Sequence, residues 1–191
     1  LMNHIRNNPI VRPIPSSGYQ GGVVTPFPFV HAMMNTSREI KGTNFVFEVL
    51  TDQDDIDEAF RLRYQTFCFE TKIADAADYP DGKESDEYDN GGCLHTAITE
   101  NDRIVAYTRL VLPCDEFPIE KSNPLPASFD RDRTIEVSRA LLVKDKRGPE
   151  NLIWHLFNGI YELCQEDNID AILSFSTTVM FNGYKKRKIP F

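Results

Sequence analysis

The fold of this chain is decided by residues 134–175, which read TIEVSRALLVKDKRGPENLIWHLFNGIYELCQEDNIDAILSF. The first ten of these residues, Thr134 to Val143, have the pattern of a strand. After Gly148 and Pro149, apolar residues recur at helical spacing, and a proline suits the first turn of a helix. The continuous apolar run over 169–175 is typical of a further strand. The segment therefore predicts a strand, a helix and a strand in succession.

The flanking sequence predicts further elements of both kinds. Residues 45–50 alternate with the period of a strand, and an amphipathic helix with acidic residues in its first turn follows. Residues 94–99 and 104–112 are strand-like and are joined by four polar residues, which predicts a hairpin. A last helix is predicted to start after Ser176 or Thr177 and to end near residue 188. The order βα, ββ, βαβα predicts an α+β (mixed α/β) protein with a mixed sheet.

The N-terminal segment differs in composition from the rest of the chain. Residues 1–42 hold five of the twelve prolines, which makes a sustained helix or a central strand improbable. We expect residues 1–42 to form a Pro/Gly-rich arm that packs partly on the domain through Phe27, Phe29 and Met33. The domain itself is then expected over residues 43–191.

The length, composition and net charge of the chain limit the classes of protein to which it can belong. A chain of 191 residues with 41% hydrophobic and 26% charged residues is typical of one globular domain with an extension. The formal net charge of −8 argues against a surface that binds nucleic acid as a whole. A local basic patch remains compatible with this charge.

Several cofactor and membrane patterns are missing from the sequence. The four cysteines form no CxxC pair and the four histidines show no metal-ligand spacing, so we expect reduced thiols and no metal. The P-loop, the dinucleotide GxGxxG and the hydrolase GxSxG are also absent. No apolar run approaches 18 residues, and the N-terminus lacks the apolar region of a signal peptide, which predicts a cytoplasmic protein without a transmembrane segment.

Two charged features of the first half of the chain are candidate site residues. Arg63 lies on the apolar face of its helix, where it is either paired with a carboxylate or substrate, or extends its charge to the surface. The run from Glu84 to Asp89 alternates acids with other residues and can bind a cation, an amine or an arginine. The EF-hand spacing is absent, and such a run is otherwise a solvated loop.

Two further candidates lie on predicted strands. Arg109, embedded in AYTRLVL, needs an anion if the sheet is covered, either a structural acid or a ligand carboxylate. On the next strand, alternation puts Glu136, Ser138 and Ala140 on one face, with Val137, Arg139 and Leu141 on the other. In a crevice, the carboxylate of Glu136 would have a raised pKa and could serve as a general base, whereas in water it is only a charge.

Four short motifs occur together in this order. They are R-Y-Q-T-F at 63–67, G-K-E-S-D-E-Y-D at 82–89, R-L-V-L-P at 109–113 and E-V-S-R at 136–139. The series resembles the motifs of the acyl-homoserine-lactone synthases. It is closer still to the long-chain N-acyl amino acid synthases, such as the N-acyl tyrosine synthases, and to the exosortase-associated acyltransferases. The resemblance covers roughly residues 45–176.

The resemblance implies a GNAT-like acyltransferase whose acyl donor is phosphopantetheine on acyl carrier protein, with no tightly bound cofactor. It implies that Glu136 is the base that acts on the acceptor amine, through water. Four residues would then shape the acceptor pocket: Arg63, Asp86, Asp89 and Arg109. Five residues of one strand would face the thioester and pantetheine: Ser138, Ala140, Leu141, Leu142 and Val143.

An acidic carrier protein requires a local cationic surface on this acidic chain. The available cations are Arg139, Lys144, Lys146 and Arg147, with the run at 185–188. These residues either dock the carrier or belong to a solvated helix end. The basic turn at 144–151 could also hold a phosphate of the pantetheine arm, and a long acyl chain would need an apolar tunnel.

This sequence differs from the families that it resembles in three features, which concern the acceptor, the acyl donor and the C-terminal strands. The lactone synthases usually carry a tryptophan between the arginine and acidic motifs, but the only tryptophan here is Trp154, which favours an amino acid acceptor such as tyrosine. The pyrophosphate loop of CoA-using relatives is degenerate at 144–151. GNAT domains also usually end with two more strands, so either the C-terminus is truncated or the arm replaces them. Two alternatives stay open: a lactone synthase that uses S-adenosylmethionine, and a non-catalytic domain that binds an acyl group or a partner.

Overall fold

A six-stranded sheet with helices on both faces makes up the described part of the chain. The computed structural model describes residues 33–148 and 151–186, except the side chains of 179 and 180. The strands are β1 (Ser37–Glu39), β2 (Phe45–Leu50), β3 (Cys93–Glu100), β4 (Arg103–Val111), β5 (Thr134–Leu142) and β6 (Ala171–Ser174). The helices are α1 (Gln53–Tyr64), α2 (Leu152–Glu166) and α3 (Thr178–Lys186). The predicted α+β class with a mixed sheet is confirmed.

The strands lie in the sheet in chain order, β1 to β6. All neighbouring pairs are antiparallel except β5 and β6, which are parallel and are connected by α2. In the β3–β4 hairpin, Asn101 and Asp102 have φ values of 50° and 61°. Asn and Asp tolerate this left-handed region better than most residues, which explains why the hairpin turns there.

Each face of the sheet is covered by a different helix. On one face, Ala59 of α1 packs with Tyr107 and Leu141 in a buried cluster. On the other face, Leu156 and Ile160 of α2 pack in the main core with residues of β2 to β5. Burial of apolar surface on both faces, which contributes roughly 25 cal/mol of free energy per Å², stabilises the sheet between the helices.

The predicted alternation of faces along β5 is wrong after Val137. Val137 packs in the core with α2, but Arg139 contacts the acids that bind Arg63, and Leu141 packs with α1. Arg139 has a φ of 59°, and the pairing of β4 with β5 shifts register between Tyr107 and Arg109. This irregularity turns Arg139 to the face that carries Glu136 and Ser138, as a β-bulge does.

The parallel pairing of β5 with β6 covers only the first part of β5. It runs from Thr134, paired with Ala171, to Val137, paired with Ser174. In the described part of the chain, no strand pairs with residues 138–142 on that side. The predicted strand over 169–175 is therefore shorter than expected, and β5 is left with an open edge.

The N-terminal arm is only partly described. Residues 1–32, including Phe27 and Phe29, lie outside the described residues, and so does the predicted end of the last helix near residue 188. Within the arm as predicted, residues 37–39 form the edge strand β1, and Met33 is buried in the core. Arg38 also forms ion pairs with Glu162 and Glu166 of α2. Among the described helices, none has the length and apolar character needed to cross a membrane.

Gly159 of α2 allows this helix to approach the sheet. A Cβ added at Gly159 would lie 2.5 Å from a ring atom of Phe47, which is 2% exposed and cannot move into solvent. We expect Gly159→Ala to lower the free energy of unfolding by about 1–2 kcal/mol, because overpacking outweighs the gain in helix propensity. Urea denaturation would measure this change. The control Gln165→Ala, at an exposed position of the same helix, should change the free energy of unfolding by less than about 0.5 kcal/mol. A Gly159→Ala variant that is more stable than the wild type would contradict the packing described here.

Candidate functional site

Arg63 is fully buried and is bound by acids from the loop between α1 and β3. Its Nε donates to Glu84 Oε2 at 2.6 Å, and its two terminal nitrogens donate to the two oxygens of Asp89 at 2.9 and 3.0 Å. This bidentate geometry is the strongest form of an arginine–carboxylate pair. Arg63 is therefore a paired interior charge, and the surface alternative is wrong.

The acidic loop is held in place by its own hydrogen bonds. The backbone N–H of Glu84 donates to the carbonyl of Phe60 on α1 at 3.1 Å. Asp86 and Asp89 cap a short turn reciprocally, because Asp86 accepts from the backbone of Tyr88 and Asp89 accepts from the backbone of Asp86. The side chains of Glu84 and Asp89 are each 1% exposed, so these acids do not belong to a solvated loop.

Arg109 of β4 contacts the same acids from the sheet. Its Nη1 lies 2.5 Å from Asp86 Oδ1 and 3.1 Å from Asp89 Oδ2, and its Nε donates to Ser138 Oγ at 3.1 Å. Its Nη2 is buried and has no hydrogen-bond partner among the described residues. A buried donor without a partner costs roughly 1–3 kcal/mol, which marks this nitrogen as a position for a ligand oxygen.

Arg139 completes the group. Its Nε donates to Glu84 Oε1 at 2.9 Å and its Nη2 to Asp86 Oδ2 at 3.1 Å, and its side chain is 30% exposed. We call the set the arginine–carboxylate cluster: Arg63, Glu84, Asp86, Asp89, Arg109 and Arg139. Its three cations and three anions balance. Burial acts to raise the pKa of Asp89, but Arg63 and Arg109 outweigh burial and lower this pKa to about 2.

Glu136 lies beside the cluster on the same face of the sheet. It is 2% exposed, and its Oε2 accepts the backbone N–H of Ile119 at 2.8 Å. Burial raises the pKa of Glu136, whereas the Ile119 N–H and the charges of Arg109 and Arg139 act to lower this pKa. The resulting pKa is about 7. The other carboxylate oxygen, Oε1, has no hydrogen-bond partner within the described ranges. Glu136 can therefore accept a proton near neutral pH.

Sequence reasoning missed three residues around the cluster. Tyr107 OH contacts Arg63 Nη1 at 3.4 Å and His95 Nδ1 at 2.7 Å. His95 is excluded as a metal ligand by the spacing of the histidines and receives no other role from the sequence, and its place opposite Arg109 depends on a register shift between Ile98 and Thr99. Ile119 acts through its backbone N–H, for which the sequence contains no signal.

The five strand residues predicted to face pantetheine occupy different environments. Leu141 and Val143 are buried, and Ala140 and Leu142 are partly exposed. Ser138 accepts a hydrogen bond from Arg109 through its hydroxyl. All but Val143 lie on the part of β5 that has no pairing with β6, where the Ser138 carbonyl accepts from Thr108 and the Leu142 carbonyl from Arg147.

Comparison with known proteins bears on the fold of the chain. The family model described as a GNAT acetyltransferase domain matches residues 62–156, which include the arginine–carboxylate cluster and Glu136. The predicted GNAT-like fold is confirmed. Its fold is similar to that of the CoA-dependent acyl-homoserine lactone synthase BjaI, solved with SAM and isopentyl-CoA, at 22% identity and a TM-score of 0.61. That match covers 71% of this chain and 65% of BjaI, so the chain spans about two thirds of the length of that synthase.

Two other solved structures share the fold of this chain. The AHL synthase LasI matches at 18% identity and a TM-score of 0.63, over 76% of this chain and 78% of LasI. A GCN5-related N-acetyltransferase from Ralstonia eutropha matches at 17% identity and a TM-score of 0.51, over 75% of this chain and 90% of its own. At these identities the likeness is one of fold.

The predicted docking cations are mostly paired with acids. Arg139 is among the residues predicted to dock the carrier. In the structure its guanidinium is bound by Glu84 and Asp86 in the arginine–carboxylate cluster. Lys146 lies 2.7 Å from Glu100, and Arg147 lies 2.6 Å from Glu70 and also donates to the Leu142 carbonyl. Lys144 is exposed.

The buried carboxylate of Glu136 should make the stability of the fold depend on pH. Since its pKa is raised in the folded state, folding is favoured at low pH, and this contribution is lost as the pH rises from about 4.5 to 7. We expect Glu136→Gln to raise the free energy of unfolding by about 1–3 kcal/mol at pH 8, and this gain should shrink towards pH 4.5. Chemical denaturation at both pH values measures the change.

The matched control for this stability change is Glu116→Gln, an exposed glutamate on the connection that contains Ile119. It should leave the free energy of unfolding within about 0.5 kcal/mol at either pH. If Glu136→Gln gave the same change at pH 4.5 and pH 8, Glu136 would not be the buried, titrating group described here.

Proposed function

We propose that this chain is an N-acyltransferase that moves a long-chain fatty acyl group from acyl carrier protein to the amine of an amino acid, with tyrosine as the first acceptor to test. One observation carries the proposal. A buried glutamate that titrates near neutral pH lies beside an arginine with an unused, buried N–H donor, next to the open edge of β5.

Arg109 is the residue best placed to bind the acceptor carboxylate. Its Nη2 is the described buried nitrogen without a partner, whereas the guanidinium of Arg63 is fully used by Glu84, Asp89 and Tyr107. In this proposal Arg109 contacts the acceptor directly, and Arg63 and Asp89 position Arg109. Asp86, whose side chain is 21% exposed, borders the acceptor pocket.

Glu136 is the candidate general base. An amino acid amine is mostly protonated at neutral pH and must lose a proton before its lone pair attacks a thioester. Glu136 Oε1 takes that proton, directly or through one water, because Oε2 is already bound by Ile119. The C–N bond then forms as the C–S bond breaks, the second proton of the attacking nitrogen passes to the leaving pantetheine thiolate, and Glu136 releases the first proton to solvent.

The open edge of β5 is the proposed seat of the donor. Ser138 to Leu142 have no pairing with β6, although the carbonyls of Ser138 and Leu142 accept hydrogen bonds from Thr108 and Arg147. We place the pantetheine arm and the thioester oxygen against the remaining backbone groups of this edge. A backbone N–H aimed at the developing oxyanion is a common way to stabilise acyl transfer. This edge begins two residues after Glu136, which places the donor and the base together.

The second candidate function is an acyl-homoserine-lactone synthase that uses S-adenosylmethionine. The similarity of fold to BjaI and LasI favours it. S-adenosylmethionine also carries an amino acid group, so Arg109 and Glu136 would act on it in the same way. The two candidates differ in the remainder of the acceptor.

A mass-spectrometric assay separates the candidates. The chain is incubated with long-chain acyl–acyl carrier protein and either the twenty amino acids or S-adenosylmethionine. We expect an N-acyl amino acid. An acyl lactone would replace the first candidate with the second, and no acylated product from either acceptor would favour a non-catalytic binding domain.

The role of Glu136 predicts the pH profile of that reaction. We expect kcat/KM to fall about tenfold per pH unit below an apparent pKa near 7, because protonated Glu136 cannot accept a proton. Glu136→Gln should lower kcat by about 10²–10⁴-fold while the fold is kept. A variant with unchanged turnover would remove Glu136 from the mechanism.

The donor can be tested at the basic turn after β5. We expect the double substitution Lys144→Glu and Arg147→Glu to raise KM for acyl–acyl carrier protein by about tenfold or more, because electrostatic attraction to the acidic carrier is reversed. Acyl-CoA, which lacks the carrier surface, serves as the matched donor. An equal rise in KM for both donors would argue against carrier docking at this turn.

A further inference from the structure

A closed chain of hydrogen bonds runs beside the arginine–carboxylate cluster. Arg63 Nη1 can only donate a hydrogen bond, so the Tyr107 hydroxyl oxygen is the acceptor. The Tyr107 hydroxyl in turn donates its proton to His95 Nδ1, its acceptor among the described residues. The proton of His95 then lies on Nε2, which is 3.6 Å from Cys93 Sγ. The Cys93 thiol donates to Asp89 Oδ1 at 3.8 Å, and Asp89 is bound to Arg63.

The spacing of three atoms in this chain matches a set of metal ligands. Asp89, Cys93 and His95 each offer one ligand atom, and all three atoms lie within 4.8 Å of one another. In a tetrahedral zinc site with Zn–S of about 2.3 Å and Zn–N of about 2.0 Å, sulfur and nitrogen are about 3.5 Å apart. The 3.6 Å between Cys93 Sγ and His95 Nε2 agrees with this value without any movement of the backbone.

We propose that Asp89, Cys93 and His95 form a binding site for a thiophilic divalent cation of the zinc class. Thiolate and imidazole ligands select zinc over magnesium or calcium, which require oxygen ligands. On binding, the ion displaces the Cys93 proton to solvent, and the His95 proton moves from Nε2 to Nδ1. A solvent molecule supplies the fourth ligand.

The neighbours of the three ligands suit this role. Ligating histidines usually donate their other ring N–H to an oxygen, and Tyr107 OH already lies 2.7 Å from His95 Nδ1. Asp89 keeps its second oxygen on Arg63 Nη2 and Arg109 Nη1. The cations and anions of the adjacent cluster balance, so an incoming ion meets no net positive charge there.

Occupancy should inhibit the proposed acyl transfer, a consequence that rests on the proposed function. Asp89 Oδ1 holds Arg63 Nη1 at 2.9 Å, and a metal on that oxygen competes with this bond. Asp89 also positions Arg109 through Oδ2. Zinc would thus disturb the acceptor site without contacting Glu136.

The binding test uses the full chain and zinc itself, in competition with a chromophoric chelator at pH 7.5. We expect one zinc ion per chain, bound at least about tenfold more weakly by Cys93→Ser and by His95→Gln. Cys114→Ser, which removes a partly exposed thiol outside the set, should bind zinc as the wild type does. Equal zinc affinity of wild type and Cys93→Ser, or no zinc bound by the wild type, would overturn the proposal.

Cobalt gives a readout that needs neither a variant nor an active enzyme. Co(II) bound to the wild type should show a sulfur-to-cobalt charge-transfer band in the near ultraviolet, and its absence would contradict a thiolate ligand. Loss of activity with added zinc, restored by a chelator, then tests the link to acyl transfer. If zinc binds as described but no acylated product forms under any condition, the proposed function fails and the metal site stands.

Discussion

Arg63 and Asp89 are buried together, and the loss of either one unbalances the charges of the arginine–carboxylate cluster in the interior. This pair joins α1 to the acidic loop, and Asp89 extends it to Arg109 on β4. Glu84 and Asp86 then draw in Arg139 from the bulge of β5. A single ion-paired network therefore fixes the relative positions of a helix, a loop and two strands around one side of the sheet.

Nearly every buried polar atom of this network already has a hydrogen-bond partner among the described residues. The atoms without a partner are therefore the candidates for contacts with a ligand. Arg109 retains one buried donor, and Glu136 retains one carboxylate oxygen. Both lie next to the part of β5 that β6 does not cover. An anion binder, a base with a pKa near neutral and an open strand edge are the parts that transfer of an acyl group to a zwitterionic acceptor requires.

The elements and the cluster were predictable from the sequence to different degrees. Periodicity located α1, α2 and the β3–β4 hairpin, because each depends on the spacing of apolar residues within a few turns. The pairing of Arg63 with Glu84 and Asp89 could be suspected, since a buried arginine needs an acid. The turning of Arg139 to the site face depends on a register shift with β4, and the bond from Ile119 to Glu136 depends on a backbone N–H, so neither is written in local side-chain patterns.

The central claim is that Arg109 binds the acceptor carboxylate while Glu136 deprotonates the amine. The most direct measurement compares kcat/KM for an amino acid with that for the amine lacking its carboxylate, in the wild type and in Arg109→Lys. The account predicts that the wild type prefers the amino acid by about 10–10²-fold, since a hydrogen bond between charged groups is worth roughly 1.5–3 kcal/mol, and that Arg109→Lys loses most of this preference. Equal use of the two acceptors by the wild type would contradict the account.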